Sequence, residues 1–249
     1  MRRPRRPAGP ISRGFFCGLA VRMSERLCMI ILAFEFSSTR RSVALFDEGR
    51  DQMLSVDETG NGPARMGGMI EDLLERGAVN PSQIDLVAVG LGPGSYMGIR
   101  MAISAAQGWN LATAARVMGV SSMECLAEAA RRQKLRGEFD FIVDGQREEF
   151  YLGCYQVADS GWRSLAALRL APAAEIAERI QSGKRVLGPE ARRYFPAAAD
   201  LFPEAADLAR LAARGASPAV EPGPLEPIYL RTVSFRKAPP SRPLPFIQT

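Results

Sequence analysis

A glycine-rich run, Gly90 to Arg100 (GLGPGSYMGIR), joins an apolar stretch to the start of a helical one. Glycines at such a junction allow positive φ and the close approach of another group. The free amides and the dipole of a helix beginning at Ser95–Gly98 would attract an anion such as phosphate. A tight turn without a ligand is the alternative, which geometry alone favours. No GxxxxGK[ST] pattern occurs, which excludes a Walker-type nucleotide site. The residues available for an anion site are Gly92, Gly94, Ser95, Gly98 and Arg100.

A second candidate is the segment FEFSSTRRSVAL, which has the pattern of a strand, a polar turn and another strand. In actin-like kinases, an Asp on the first strand and a hydroxyl-rich turn approach Mg²⁺ and the nucleotide phosphates. Here Glu35 would be that acid, and Ser37, Ser38 and Thr39 would contact phosphate. The simpler alternative is an acid at a strand end beside a Ser/Thr turn, and we favour it.

The third candidate is the segment from Asp144 to Glu148, which follows another predicted strand. Strand ends in α/β folds commonly border clefts, so Asp144, Arg147 and Glu148 are candidates for general acid or base chemistry. A salt bridge within a hairpin is the alternative, and the spacing favours it.

Two helical stretches have faces suited to packing. The first has an apolar stripe rich in methionine, and the second has a face of small residues that permits close helix–helix approach. Tight internal packing and an oligomer or partner interface explain these faces equally well. The interface candidates are Met66, Met69, Ile70, Leu73, Ala102, Ala105, Ala106 and Trp109.

The pattern of the whole chain predicts an α/β fold with two lobes. A β-β-β-α-β-α-β-α order over residues 29–131 indicates a hairpin edge that meets parallel strands. A charged hinge at 131–138 precedes a second lobe, 138–231, with predicted strands at 139–144 and 149–157. Helical periodicity at 173–182 and from 191 to 215 completes that lobe, although prolines interrupt the later stretch.

The positive charge of the chain lies mostly in its tails. The formal net charge is +5, yet residues 1–28 carry seven arginines and one acid, and residues 232–249 carry three basic residues and no acid. The body between them is slightly acidic, so it lacks the positive footprint of a nucleic-acid-binding domain. Four scattered cysteines and no histidine leave no usual zinc pattern. Without a long apolar span, a reduced cytoplasmic protein that binds neither metal nor membrane is expected.

Residues 1–28 allow three interpretations: a targeting signal, an RNA-binding arm, or a disordered extension or mis-called start before Met29. We favour the last, because the apolar patch at 17–21 is too short for a signal core and a buried strand begins at Met29. The proline-rich residues 232–249 are predicted to be disordered.

Five segments, taken in order, resemble the TsaB (YeaZ) family. Its signatures are ILAIDTS, GPGSFTGLR, GVSSLEALA, IDARxxEVY and a terminal YLR. The matching segments are Ile31–Ser37 (ILAFEFS), Gly92–Arg100 (GPGSYMGIR), Gly119–Ala127 (GVSSMECLA), Ile142–Tyr151 (IVDGQREEFY) and Tyr229–Arg231 (YLR). The match spans about residues 29–231.

The resemblance implies an actin-like (ASKHA, ribonuclease H-like) fold of two lobes with mixed sheets. It also implies a scaffold that pairs with the catalytic subunit TsaD and, through the complex, engages the ATPase TsaE. That assembly transfers threonylcarbamoyl to the adenosine beside the anticodon of tRNA, so tRNA would be met indirectly. Adenylate and metal binding belong to TsaD, whose metal is held by a HxxxH motif. A homodimer is a further expectation.

Three departures from the family pattern affect the nucleotide-like features. The usual first-strand Asp is Glu35, the Thr of GPGSFTG is Met97, and the His before the first helix is missing near Asn61. Each change removes a potential ligand, which favours the scaffold over the alternative, a stand-alone small-molecule kinase or ATPase. No catalytic residue and no cofactor of its own are therefore expected.

Overall fold

A computed structural model describes residues 28–60, 65–215 and 225–230. The predictions for residues 1–27, Asn61, Arg231 and residues 232–249 lie outside these ranges.

The first sheet has five strands in the order β3-β2-β1-β4-β5. Its first three strands form an antiparallel meander, and β4 and β5 continue the sheet in parallel with β1. This is the hairpin edge joined to parallel strands that the sequence predicts. The strands are β1 (Ile30–Glu35), β2 (Arg40–Asp47), β3 (Gln52–Thr59), β4 (Leu86–Gly90) and β5 (Arg116–Val120).

Helices cover both faces of the first sheet. On one face, α1 (Met66–Gly77) and α2 (Tyr96–Thr113) pack on a core that includes Phe34 and Phe36. On the other face, α6 (Ala205–Ala213) packs on Ile31 and Ala33. Because β1 is buried from both sides, its sequence is almost continuously apolar rather than alternating.

The second sheet has the order β11-β10-β6-β7-β8, and β9 pairs with β7. It is flanked by α3 on one face and by α4 and α5 on the other. Two mixed sheets with helices on their faces confirm the predicted α/β class with two mixed sheets. The elements are α3 (Ser122–Arg132), β6 (Gly137–Asp144), β7 (Glu149–Ala158), β8 (Gly161–Ser164), β9 (Arg169–Pro172), α4 (Ala173–Gln181), β10 (Val186–Gly188), α5 (Ala191–Tyr194) and β11 (Ala199–Asp200).

The chain returns to the first sheet after the second one is complete. Helix α6 packs on β1 and β2, and the N–H of Ile228 donates to the carbonyl of Leu91, 2.9 Å away. Within the predicted second lobe, 138–231, α6 and Ile228 therefore pack on the first sheet, and the predicted boundary between the lobes stays a prediction.

Helices α3 and α6 meet between the two sheets. Arg132 donates to the buried carboxylate of Asp207 at 2.8 Å, and Arg214 pairs with the buried carboxylate of Glu128 at 3.0 Å. These ion pairs join the helix that packs on the second sheet to the helix that packs on the first.

The second sheet also contains strands that the sequence analysis did not predict. Strands β8 and β9 are four residues each, too short for a clear alternation. The predicted helical stretch 191–215 is divided into α5, β11 and α6, because Pro196 and Pro203 cannot continue a helix.

Candidate functional site

The glycine-rich run forms a close junction between the β1–β2 turn and the start of α2. A Cβ added at Gly94 would lie 2.0 Å from the carbonyl oxygen of Ser37, and one at Gly98 would lie 2.0 Å from that of Phe36. The N–H of Ser95 donates to the same Ser37 oxygen at 2.7 Å. These glycines are thus required by packing within the chain.

Two amides expected to be free for an anion are engaged within the chain. The N–H of Ser95 is bound to Ser37, and the N–H of Gly98 donates to the hydroxyl of Ser95 at 3.2 Å. Ser95 is the N-cap of α2, and its side chain replaces a ligand at that amide. Anion binding at this helix start stays a prediction, with fewer donors than the sequence suggested.

Glu35 points away from the face of the sheet on which α2 packs. Its carboxylate is fully buried and accepts hydrogen bonds from the N–H of Ser37 at 2.8 Å and from the hydroxyl of Ser122 at 2.9 Å. A Cβ on Gly90 would lie 2.2 Å from Oε2 of Glu35, so the missing side chain leaves room for this acid. Burial raises the pKa of Glu35, and its hydrogen bonds oppose that increase. The hypothesis that Glu35 is an acid of the cleft is corrected. The hydrogen bond between Glu35 and Ser122 instead connects β1 to the start of α3.

A cavity of about 880 Å³ lies between the two sheets. Its walls are the β1–β2 turn, the start of α2, the end of β6 and the segment before α5. The predicted residues Ser37, Ser38, Gly94, Ser95, Gly98, Arg100 and Asp144 line it, whereas Glu35, Gly92, Arg147 and Glu148 do not. Cleft residues that the sequence analysis did not name as site candidates include Arg41, Tyr96, Gln146 and Glu190.

A hydrogen bond between described residues crosses this cleft. The hydroxyl of Thr39 donates to Oε1 of Glu190 at 2.5 Å and so joins the β1–β2 turn to the segment before α5. Glu190 has a positive φ of 55°. A Gly-Pro-Glu sequence directly after a strand was the available signal for this residue.

The β6–β7 turn has an unusual backbone. Gln146, Arg147 and Glu148 all have positive φ, at 62°, 57° and 59°. Asp144 at its base accepts from the N–H of Gln146 at 2.7 Å and from the hydroxyl of Tyr194 at 2.8 Å. Arg147 and Glu148 are exposed, and neither forms an ion pair with any described residue, so the predicted hairpin salt bridge is not found there. Asp144 has a positioning role in this turn.

Aromatic residues and an arginine stack at the rim of the cleft. The guanidinium of Arg100 lies 4.1 Å from the centre of the Tyr96 ring. The other partner of Tyr96 is Tyr229, whose ring centre is 5.7 Å away at an interplanar angle of 22°. Sequence analysis could not pair these residues, because Tyr229 arrives through the chain's return to the first sheet.

Comparison with known proteins identifies the family. A family model described as TsaD, tRNA N6-adenosine threonylcarbamoyltransferase, matches residues 63–199. The "tRNA threonylcarbamoyladenosine biosynthesis protein TsaB" of Escherichia coli (strain K12) is 29% identical over 237 residues, which are 85% of this chain and 99% of that protein. The solved structure of YeaZ from Pseudomonas aeruginosa is 30% identical with a TM-score of 0.67, over 81% of this chain and 100% of that one. This chain belongs to the TsaB (YeaZ) family.

The predicted partner-interface residues of this TsaB-family chain lie mostly in its own core. Met66, Met69, Leu73, Ala102 and Ala106 are buried between the helices and the first sheet, while Ile70, Ala105 and Trp109 are partly buried there. A buried side chain cannot contact a partner. The hypothesis that the five buried residues form a partner interface is therefore corrected. Their apolar stripe is the side of each helix that faces the sheet.

The outer face of α1 and α2 is the surface that remains. Met97 and Leu111 are 72% and 87% exposed near the two ends of α2. Between them, a Cβ on Gly108 would meet nothing within 4 Å, and the same holds for Gly67 and Gly68 on α1. These helices therefore carry an open surface with little side-chain bulk.

Across the described ranges, no helix combines the length and apolar character needed to cross a membrane. The same residues contain no group of three or more His, Cys, Asp or Glu side chains arranged to hold a metal ion.

Proposed function

We propose that this chain is the non-catalytic subunit of a cytoplasmic assembly that transfers threonylcarbamoyl to the adenosine beside the anticodon of tRNA. It would act as a scaffold by pairing with a TsaD-type catalytic subunit. The observation that carries the proposal is the position of Glu35, which is buried and bonded to Ser37 and Ser122. The cleft has hydroxyls and arginines but lacks the β1 carboxylate that an actin-like ATPase would direct at Mg²⁺.

Two further observations support this division of labour. The chain has no histidine, so it cannot supply the HxxxH motif expected of a TsaD-type metal site. Its E. coli relative is named as a protein of tRNA threonylcarbamoyladenosine biosynthesis. We therefore assign the metal and ATP to the partner subunits, with a TsaE-type ATPase reached through the complex.

The outer face of α1 and α2 is the proposed contact with the TsaD-type subunit. Glycine in a helix interior costs about 1 kcal/mol relative to alanine, yet Gly108 inside α2 needs no space within this chain. The same is true of Gly67 and Gly68 in the first turn of α1. Close approach of a partner backbone would account for all three. A homodimer through the same face is the competing arrangement.

A charged, bulky residue at Gly108 tests the contact. We expect Gly108→Arg to abolish co-elution with the TsaD-type subunit in size-exclusion chromatography while the isolated chain stays folded, because arginine is a better helix former than glycine. The control is Gln181→Arg, which places the same side chain at an exposed position on α4. Light scattering of the chain alone detects a homodimer. Failure of the wild-type chain to associate, with or without ATP, would refute the proposal.

The alternative of a stand-alone kinase or ATPase requires the cleft to hold Mg·ATP without Glu35. Calorimetry of the isolated chain with millimolar Mg·ATP separates the two functions. We expect no binding heat, and saturable binding would favour the enzyme.

A further inference from the structure

The return segment 225–230 places one aromatic ring at the rim of the cleft in a defined position. Ile228 is fixed by its hydrogen bond to Leu91, and its side chain packs on the core of the first sheet together with that of Leu225. Tyr229 follows directly and stacks on Tyr96. The ring is thus held by anchored backbone on one side and by a ring on α2 on the other.

The stacked residues have polar groups that the described part of the chain does not use. Arg100 is exposed and forms no hydrogen bond or ion pair with a described residue, although its guanidinium lies on the Tyr96 ring. By contrast, the acids across the cleft are engaged, Glu190 by Thr39 and Asp144 by Tyr194. The site offers an aromatic surface next to a cation that has no counter-charge among the described residues.

The order of these groups is suited to a nucleotide. Tyr96 contacts both Arg100 and Tyr229, and the Tyr229 ring remains 38% exposed, so a further ring can join the stack at Tyr229. Proteins hold unpaired bases by stacking them on aromatic side chains and arginine planes, and arginine also neutralises the phosphate.

The charge of the sequence that follows the stack favours RNA over a protein as the occupant, although the body of the chain is slightly acidic. From Pro227 to the last residue the sequence contains four basic residues and no acid. Met97 and Leu230 beside the stack are exposed and apolar, which a protein partner would also use. Only a polyanion, however, would match both Arg100 and the charge of the following sequence.

We propose that Tyr229, Tyr96 and Arg100 form a stacking site for an unpaired base of tRNA, with Arg100 neutralising the adjoining phosphate. This inference rests on the proposed function in so far as it takes the RNA to be the tRNA of that assembly. The site lies at the start of α2, whereas the proposed subunit contact includes Gly108 farther along the same helix.

Binding of an unmodified, fluorescently labelled tRNA transcript tests the site. Anisotropy is measured with the full chain alone and with the TsaD-type subunit, at two salt concentrations. We expect Tyr229→Leu to weaken binding about tenfold, because stacking is lost while apolar packing on Tyr96 is kept. Tyr229→Phe should bind as the wild type does. Tyr229→Phe is therefore the matched control, because it keeps the ring and removes only the hydroxyl.

The salt dependence separates stacking from charge. Arg100→Gln should reduce the slope of log affinity against log salt by about one, whereas Tyr229→Leu should leave the slope unchanged. If Tyr229→Leu does not fold, the Arg100→Gln slope decides the matter.

Three results would overturn the inference. They are wild-type tRNA affinity in Tyr229→Leu, an unchanged slope in Arg100→Gln, and loss of the TsaD-type subunit from Tyr229→Leu without loss of RNA affinity. The last would mark the stack as a protein contact. Pairing measured without RNA tests the proposed function separately, so the two failures are distinguishable.

Discussion

A single methyl group added at Gly90 should destabilise the fold through Glu35. The Cβ of Gly90→Ala would lie 2.2 Å from Oε2 and 2.7 Å from Cδ of Glu35, well inside van der Waals contact. The carboxylate cannot yield without breaking its bonds to Ser37 and Ser122. Overpacking of this kind costs about 1–3 kcal/mol, and two lost hydrogen bonds add about 1 kcal/mol each. We therefore expect a loss of about 3–5 kcal/mol in the free energy of unfolding.

The same structure predicts a partial rescue. Glu35→Asp shortens the side chain by one methylene and withdraws the carboxylate from Gly90 by about 1.5 Å. Glu35→Asp should cost about 1–2 kcal/mol by itself, since it lengthens the hydrogen bonds and leaves a small void. In the double variant the clash is relieved. The double variant should therefore lose less free energy of unfolding than the sum of the two single variants, and the difference should be at least about 1 kcal/mol.

Urea unfolding followed by circular dichroism measures the free energy of unfolding of the wild type, the two single variants and the double variant. The control is Gly108→Ala, where the added Cβ meets nothing within 4 Å and should stabilise α2 by about 0.5–1 kcal/mol. If Gly90→Ala costs the same in the Glu35→Asp background as in the wild type, Glu35 does not occupy the space at Gly90 and our account of its burial is wrong.

Three further predictions concern other parts of the chain. Burial raises the folded-state pKa of Glu35 above its ordinary 4.5, so the protonated side chain's contribution to stability is lost as the pH rises from about 4.5 through that raised value. Glu35→Gln does not titrate, so it should gain stability relative to the wild type over this pH range. Urea unfolding at several pH values measures the difference. Arg147→Gly should raise the melting temperature, because relief of the left-handed backbone gives about 1 kcal/mol, whereas Arg163→Gly in the extended strand β8 should lower it. Arg132→Met should cost about 2–4 kcal/mol in urea, because it removes the nearer of the two arginines that pair with the buried Asp207 and leaves Arg210 at 3.3 Å. Adding Asp207→Leu should recover part of that loss, and a fully additive loss would contradict the ion-pair account.

Much of the fold followed from local pattern. The run from Ile30 to Glu35 is apolar because both of its faces are covered, and that pattern can be recognised without knowing what covers them. The helix start at Ser122 also follows from local pattern, because serine is a preferred N-cap and Ser121 accepts from the N–H of Met123. Strand order and the limits of the lobes were harder to predict from the sequence, because α6 covers β1 from more than 160 positions away in the chain.

The candidate site shows where local pattern was insufficient. Alternation of side chains along β1 places Glu35 on the face opposite Phe34 and Phe36, but alternation does not tell which face borders the cleft. The stripes on α1 and α2 identified a packing surface and left open whether sheet or partner fills it. Tyr96 and Tyr229 are 133 positions apart in the sequence, and no local rule brings them together.

The sequence by itself determined the family, the α/β class and the absence of histidine, because these depend on residue types and short motifs. The tertiary structure decided that Glu35 is buried and hydrogen-bonded to the start of α3, and that the apolar stripes face the core. It also decided that Tyr229, near the C-terminus, stacks on α2. The reason is physical: hydrogen-bonded turns and caps are set by neighbours along the chain, whereas burial and stacking are set by segments that meet only after folding.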